Sequence, residues 1–267
     1  MPGIMNTETD ALDVAIRAAH AAGVLIRSAQ DSPLQVRHKG AVDLVTQVDE
    51  ACEREIRAVL ARDAPGVPVL AEESGGAWNE STRWLVDPLD GTTNFVHGYP
   101  SYGVSIALEI DGELVAGCIY DPIRDRTYTA RKGAGAFCDD QPISVSRTDR
   151  LTDALLLTGF PYDRRERPDY YLRYVRAFLT TSQGLRRGGA ASMDFVALAT
   201  GCADGFWEIG LSPWDVAAGA LLVREAGGRV TNLDLAPLTL DGRRMLATNG
   251  CLHSEMGTML RDLLSSE

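Results

Sequence analysis

The chain has 267 residues, enough for one large core or two small ones, and its 45% hydrophobic content fits a soluble globular protein. Its formal charge is -11, and no basic run exceeds Arg164-Arg165 or Arg186-Arg187, so no stripe for a nucleic-acid backbone is present and direct binding to nucleic acid is not expected.

The cysteines Cys52, Cys118, Cys138, Cys202 and Cys251 are scattered and form no C-x-x-C pair, so they read as reduced core thiols and not as a disulfide framework or zinc site. The first segment, MPGIMNTETDALD, is acidic, and no apolar run approaches the ~20 residues of a membrane span. The expectation is a soluble cytoplasmic protein without membrane contact.

In chain order, apolar residues from about Ala11 to Arg27 recur at helical spacing until Asp31-Ser32-Pro33. A second helix is predicted over Asp49 to Ala61, with Cys52, Ile56, Val59 and Leu60 on one face. The runs Pro68–Ala71 and Trp84–Val86 read as strands that end in acids, Glu72-Glu73 and Asp87. Asp111-Gly112 predicts a hairpin joining strands Gly103–Ile110 and Glu113–Asp121, with further strands at Thr127–Ala130 and Gly135–Cys138. Strands follow at Ala154–Thr158, at Gly205–Ile209 and near Val230 and Leu246, with helices near Tyr170–Thr180, Ala190–Thr200, Pro213–Ala226 and Ser254–Leu264. This order predicts an α+β or mixed α/β fold, and without a repeat or linker it is read as a single domain over 1–267, with halves of approximately 8–146 and 150–265.

The stretch WLVDPLDGTTNFVHG carries the chemistry. Pro88 cannot continue a β ladder, so the strand is expected to stop at Asp87 and turn, with Asp90 capping a short helix. Free N–H groups at Gly91, Thr92 and Thr93 would then favour a phosphate, which Asp87 and Asp90 would repel. A hard divalent cation removes the conflict, since Mg²⁺ takes one or two carboxylates together with substrate phosphate oxygens. Read alone, Asp87 as a strand end and Asp90 as a cap account for the motif equally well. Ser212-Pro213-Trp214-Asp215 likewise reads as a helix start, a role compatible with metal ligation.

EES at 72–74, DPLDGTTNF at 87–95 and WDVAAG at 214–219 closely resemble, in order and spacing, the magnesium-dependent inositol monophosphatase family. DLVTQVD at 43–49, GFPYD at 159–163, GGAAS, FWEIG and EAGG extend the resemblance over nearly the whole chain. It implies the layered α/β/α/β/α sandwich of the inositol monophosphatase and fructose 1,6-bisphosphatase superfamily, a homodimer, and Li⁺-sensitive hydrolysis of inositol 1-phosphate or related polyol and sugar monophosphates by a metal-activated water. It assigns metal ligation to Glu72, Asp87, the Leu89 carbonyl, Asp90 and Asp215, and two or three Mg²⁺ would largely neutralise these acids and a bound phosphate.

By the same resemblance Asp49 and Thr92 orient or deprotonate the attacking water, with Glu72 beside it. Gly91 and Thr92 meet phosphate, while Leu89, Asp90, Gly189, Ala190, Ala191, Glu208 and Asp215 line the substrate. Lys39 matches a lysine near the metals in relatives, with a solvated lysine as its alternative. Taken singly, Asp49 passes as a helix-start charge, Glu208 as an exposed strand residue and His97 as an outward loop residue. Ala190, and Gly-Leu-Ser-Pro before Trp214, depart from some relatives at the substrate rim. Histidinol-phosphate, fructose 1,6-bisphosphate or 3′-phosphoadenosine phosphatase activity, and a protein-binding role in a transcription complex, stand as alternatives.

Overall fold

The computed structural model describes residues 8–30, 36–38, 44–241 and 243–265, and Lys39 lies outside the described residues. The first half runs α1 (Glu8–Ala29), β1 (Val36–His38), β2 (Leu44–Thr46), α2 (Gln47–Asp63), β3 (Val69–Ala71), β4 (Gly75–Gly76), β5 (Arg83–Asp90), α3 (Thr92–His97), β6 (Gly103–Ile110), β7 (Glu113–Asp121), β8 (Arg126–Arg131), β9 (Gly135–Cys138) and β10 (Gln141–Pro142). The second runs β11 (Leu155–Thr158), α4 (Pro168–Leu179), β12 (Gly184–Arg186), α5 (Ala191–Ala199), β13 (Gly205–Ile209), α6 (Pro213–Glu225), β14 (Arg229–Asn232), β15 (Arg244–Thr248) and α7 (His253–Ser265).

Strands β3 to β10 form an eight-stranded sheet in the order β10-β9-β8-β7-β6-β5-β3-β4, antiparallel except where β3 lies parallel to β5. Strands β11 to β15 form a second sheet in the order β12-β11-β13-β15-β14, with β11 parallel to both of its neighbours. The β6–β7 turn carries Asp111 at φ 52° and Gly112 at φ 79°, the left-handed pair that an Asp-Gly hairpin requires.

Side-chain alternation along the strands sorts the core into layers. Trp84, Val86, Val104, Ile106 and Leu108 face α1 and α2, where they pack with Ala15, Ala19, Cys52 and Ile56. Leu85 and Ala107 face the opposite way, onto α5 and α6, which also receive Leu157, Phe206, Met245 and Ala247 from the second sheet. Trp207 and Leu246 turn outward onto Tyr174 and Phe178 of α4 and Met256 and Leu260 of α7. The result is the expected α/β/α/β/α sandwich. Among the described residues no helix is long and apolar enough to cross a membrane.

Two sequence expectations need correction here. β5 does not stop at Asp87 but resumes pairing at Asp90, opposite Gly103, after an irregularity that contains Pro88. A proline has no N–H to donate, and a bulge is where a sheet tolerates one. The cysteines are not all core thiols either: Cys52 and Cys118 are buried, but Cys202 and Cys251 are exposed.

Candidate active site

Both sheets and the starts of three helices converge on one cleft of about 150 Å³. Leu44, Glu72, Leu89 to Thr93, Gly159, Arg164, Arg187, Gly189 to Ala191, Asp194, Glu208 and Asp215 are among the residues that line it.

The β5 bulge shapes the first wall. Leu89 N–H donates to Asp87 Oδ1 at 3.0 Å, so the buried carboxylate closes the turn around Pro88. Asp90 does not cap α3: the cap is Gly91, at φ 91°, with no side-chain hydrogen bond. The Asp90 carboxylate reaches α5 instead, where Oδ2 accepts from Ser192 N at 2.7 Å and from Ser192 Oγ at 2.5 Å. A tertiary partner outcompetes the local cap because it offers two donors to one charged oxygen.

Asp49 is the third residue of α2 and closes a capping box with Thr46, its Oδ2 accepting from Thr46 N at 2.8 Å and Thr46 Oγ1 at 2.6 Å. Its other oxygen, Oδ1, accepts from Thr92 Oγ1 at 2.6 Å, so one buried carboxylate joins the helix start to the cleft. Thr92 Oγ1 also lies 3.2 Å from the Leu89 carbonyl oxygen, which keeps a second lone pair for another partner. Burial raises the Asp49 pKa, against the lowering effect of the Thr46 and Thr92 hydroxyls.

Glu72 follows β3, and its N–H donates to Val86 O at 3.1 Å. The next turn is held from α2: buried Glu53 accepts from Glu73 N at 2.8 Å and from Arg57 Nε at 3.0 Å, and Arg57 also reaches Ser74 Oγ at 2.7 Å. Asp215 is the third residue of α6, where Ser212 N donates to its Oδ2 at 2.7 Å in a capping box behind Pro213. The start of α6 is tied to the first sheet by Ser105 Oγ, which donates to Trp214 O at 3.0 Å, and by Trp78 packed edge-on against the Trp214 ring.

The acids act on one another. Burial, followed by the charges of Glu72, Asp90 and Asp215, holds the Asp87 pKa well above the usual carboxylate range. Asp215 is raised by burial and then by Glu72 and Asp90, while Asp90 is raised by burial against the lowering effect of its Ser192 and Ala191 bonds. Asp87, Asp90 and Asp215 have no ion pair among the described residues.

Such a donor set, all oxygen and excess negative charge, fits a hard divalent cation. Among the described residues no three acid, histidine or cysteine side chains close around a single point as a finished cage.

The opposite wall holds Glu208 near the end of β13, Gly189 to Ala191 leading into α5, and two residues absent from the sequence-derived set, Arg187 and Asp194. Glu208 is 9% exposed, not an exposed strand residue, while His97 at the end of α3 points outward. Ser192 and Glu53, which hold Asp90 and the Glu72 turn, also escaped sequence reasoning. Ser192 follows directly on the Gly-Ala-Ala segment, and Glu53 lies four residues before Arg57 on one face of α2, the available signals for each.

A sandwich whose strand ends and helix starts gather four acids, a Thr-Asp pair and a small cleft defines a phosphomonoester hydrolase. The chain belongs to the inositol monophosphatase family, whose pattern matches residues 8–265. It is 43% identical over 252 residues to an inositol-1-monophosphatase of Synechocystis sp., covering 93% of this chain and 88% of the relative. It is 42% identical to a Pseudomonas aeruginosa protein described as Nus factor SuhB, covering 89% and 91% of the two chains. Among solved structures, an inositol monophosphatase from Anabaena matches with TM-score 0.86 at 40% identity, over 97% of this chain and 99% of that one. Members of the family are generally metal-dependent.

Proposed function

We propose that the chain is a Mg²⁺-dependent, Li⁺-sensitive phosphatase that hydrolyses inositol 1-phosphate or a related polyol or sugar monophosphate to the free alcohol and phosphate. The observation that carries the reading is the gathering of Glu72, Asp90 and Asp215 on one cleft, with Asp87 buried behind them and raised by their charges, and with Thr92 of the cleft hydrogen-bonded to Asp49.

Glu72, Asp87, Asp90, Asp215 and the Leu89 carbonyl would hold two or three Mg²⁺. When bound, these ions neutralise phosphoryl charge and make water more acidic. The chain's own groups then act by position. The Thr92 hydroxyl donates its hydrogen bond to Asp49 Oδ1, so Thr92 Oγ1 keeps a lone pair that can accept from the attacking water. Glu72 stands beside this pair, at the strand end set by Val86 and Glu53. Gly91 and Thr92 meet the phosphate, and Gly189, Ala190, Ala191 and Glu208 meet the alcohol.

The active unit proposed is a single domain over 1–267, with halves of approximately 8–146 and 150–265, acting as a cytoplasmic homodimer. The test is phosphate release from myo-inositol 1-phosphate, histidinol phosphate, fructose 1,6-bisphosphate and 3′-phosphoadenosine 5′-phosphate, with and without Mg²⁺ and Li⁺. Mg²⁺-dependent, Li⁺-inhibited release with the highest kcat/KM on the inositol ester is expected; no release from any ester defeats the reading.

The 42% identity to a protein described as a Nus factor supports a second role, binding within a transcription complex. With no basic run longer than two arginines, we propose that such contacts are made to protein and not directly to nucleic acid. Capture of RNA polymerase by an Asp90→Asn protein supports this role, and its absence removes it.

A further inference from the structure

Three charged side chains on the wall opposite the acids share one device. A Cβ on Gly159 would fall 2.1 to 2.2 Å from the Glu208 carboxyl atoms, a Cβ on Gly188 2.6 Å from Asp194 Oδ1, and a Cβ on Gly189 2.5 Å from Arg187 Nη1. Contacts that short do not occur, so each glycine vacates the volume its neighbour's charged head fills. Gly159 and Gly188 have no left-handed φ, so at these two positions it is the charged head, not the backbone, that a side chain would displace.

The heads are placed but not satisfied. Asp194 is 5% and Glu208 9% exposed, and among the described residues neither carboxylate accepts a hydrogen bond or an ion pair. Arg187 likewise has no ion pair among the described residues, although its charge is felt by both acids. Buried carboxylates without donors are costly, and all three side chains line the cleft, where a ligand can supply what the protein does not. Asn94 fastens this wall to the DGTTNF turn, its Nδ2 donating to Gly188 O at 2.9 Å and Ser101 O at 2.6 Å.

We propose that Asp194 and Arg187, seated on Gly188 and Gly189, complete with Glu208 a subsite for the hydroxyls of a polyol, and that Asp194 is a specificity-determining residue. The inference rests on the polyol-phosphate reading and extends it. Adjacent hydroxyls donate to Asp194 and Glu208 and accept from Arg187, which suits two acceptors and one donor on a single wall. Two carboxyl groups against one guanidinium leave less positive charge there than a second phosphate on the substrate would need.

The experiment compares wild type, Asp194→Asn and Gly188→Ala by the ratio of kcat/KM on myo-inositol 1-phosphate to that on p-nitrophenyl phosphate, whose alcohol has no further hydroxyl. Gly188→Ala keeps the Asp194 carboxylate but displaces it, and Asp194→Asn keeps the shape but not the charge. Both are expected to lower the ratio by about tenfold or more, chiefly through KM on the inositol ester, as for loss of a hydrogen bond to a charged acceptor. A wild-type preference for the inositol ester that both variants leave within about twofold overturns the role of the subsite alone. Failure of wild type to prefer any polyol ester overturns the substrate reading and the subsite with it, and a preference for fructose 1,6-bisphosphate transfers Arg187 to a second phosphate.

Discussion

Acids gather on two sides of the cleft, and they are held differently. On one, Asp49, Asp87, Asp90 and Asp215 each accept a backbone N–H, from Thr46, Leu89, Ser192 and Ser212. On the other, Asp194 and Glu208 accept none among the described residues and rest on glycines. Burial raises acids on both walls. On the proposal above, the difference teaches what each wall awaits: Asp87, Asp90 and Asp215, each anchored through one oxygen, keep the other for a cation that tolerates little misplacement, whereas the unanchored acids keep every lone pair for ligand hydroxyls.

The largest effect is expected where the anchored wall loses charge. Asp90→Asn keeps an oxygen for Ser192 and should fold, with the melting temperature unchanged or higher, while kcat falls ~10³-fold, as expected for removing one metal-stabilised charge contact. Near-normal turnover at saturating Mg²⁺ would break the distinction between the walls.

Glu53→Ala tests whether the anchoring extends behind the acids. It strips Arg57, Glu73 N and Ser74 of a common acceptor, so urea unfolding should show a loss of about 2 kcal/mol, as for removing a hydrogen-bonded charge from a half-buried pair. Thr92→Val leaves Asp49 Oδ1 without its donor and removes the lone pair facing the cleft. A fall of ~10²-fold in kcat is expected, with Thr92→Ser restoring most of it.

The smallest effect lies away from both walls and separates acid unfolding from acid inactivation. His253 sits between the Thr231 and Thr248 hydroxyls, each 3.0 Å from a ring nitrogen, and burial with the nearby Arg229 charge pushes its pKa down from 6.5 to about 4. The unfolded chain therefore takes up this proton first, so the stabilisation is complete above pH 6.5 and is lost as pH falls toward 4. About 2 kcal/mol should disappear between pH 7 and pH 5, and His253→Gln should flatten that slope in pH-dependent melts.

Local chemistry made much of this legible. The Asp111-Gly112 hairpin and the Ser212-Pro213-Trp214-Asp215 helix start follow from turn and cap preferences alone, and both stand in the structure as expected. The end of β5 did not, because Pro88 is absorbed by a bulge whose pairing partner, Gly103, lies beyond a helix. Asp90 was misread for the same reason: Ser192, its true partner, is remote in sequence. The second wall was hardest to see. β12 is three residues long and parallel to β11, a pattern no local periodicity announces, yet it delivers Arg187, Gly188 and Gly189 to the cleft. Asp194 has the sequence appearance of any acid in the first turn of a helix, and only its burial without a donor sets it apart.

The contrast between the walls is tested most directly by calorimetric titration of Mg²⁺ into metal-stripped wild type, Asp90→Asn and Glu208→Gln proteins. Binding of two or three ions to wild type, loss of at least one in Asp90→Asn and an unchanged count in Glu208→Gln is the predicted result. Equal loss in the two variants, or no Mg²⁺ uptake by wild type, would contradict the assignment of cations to one wall and alcohol to the other.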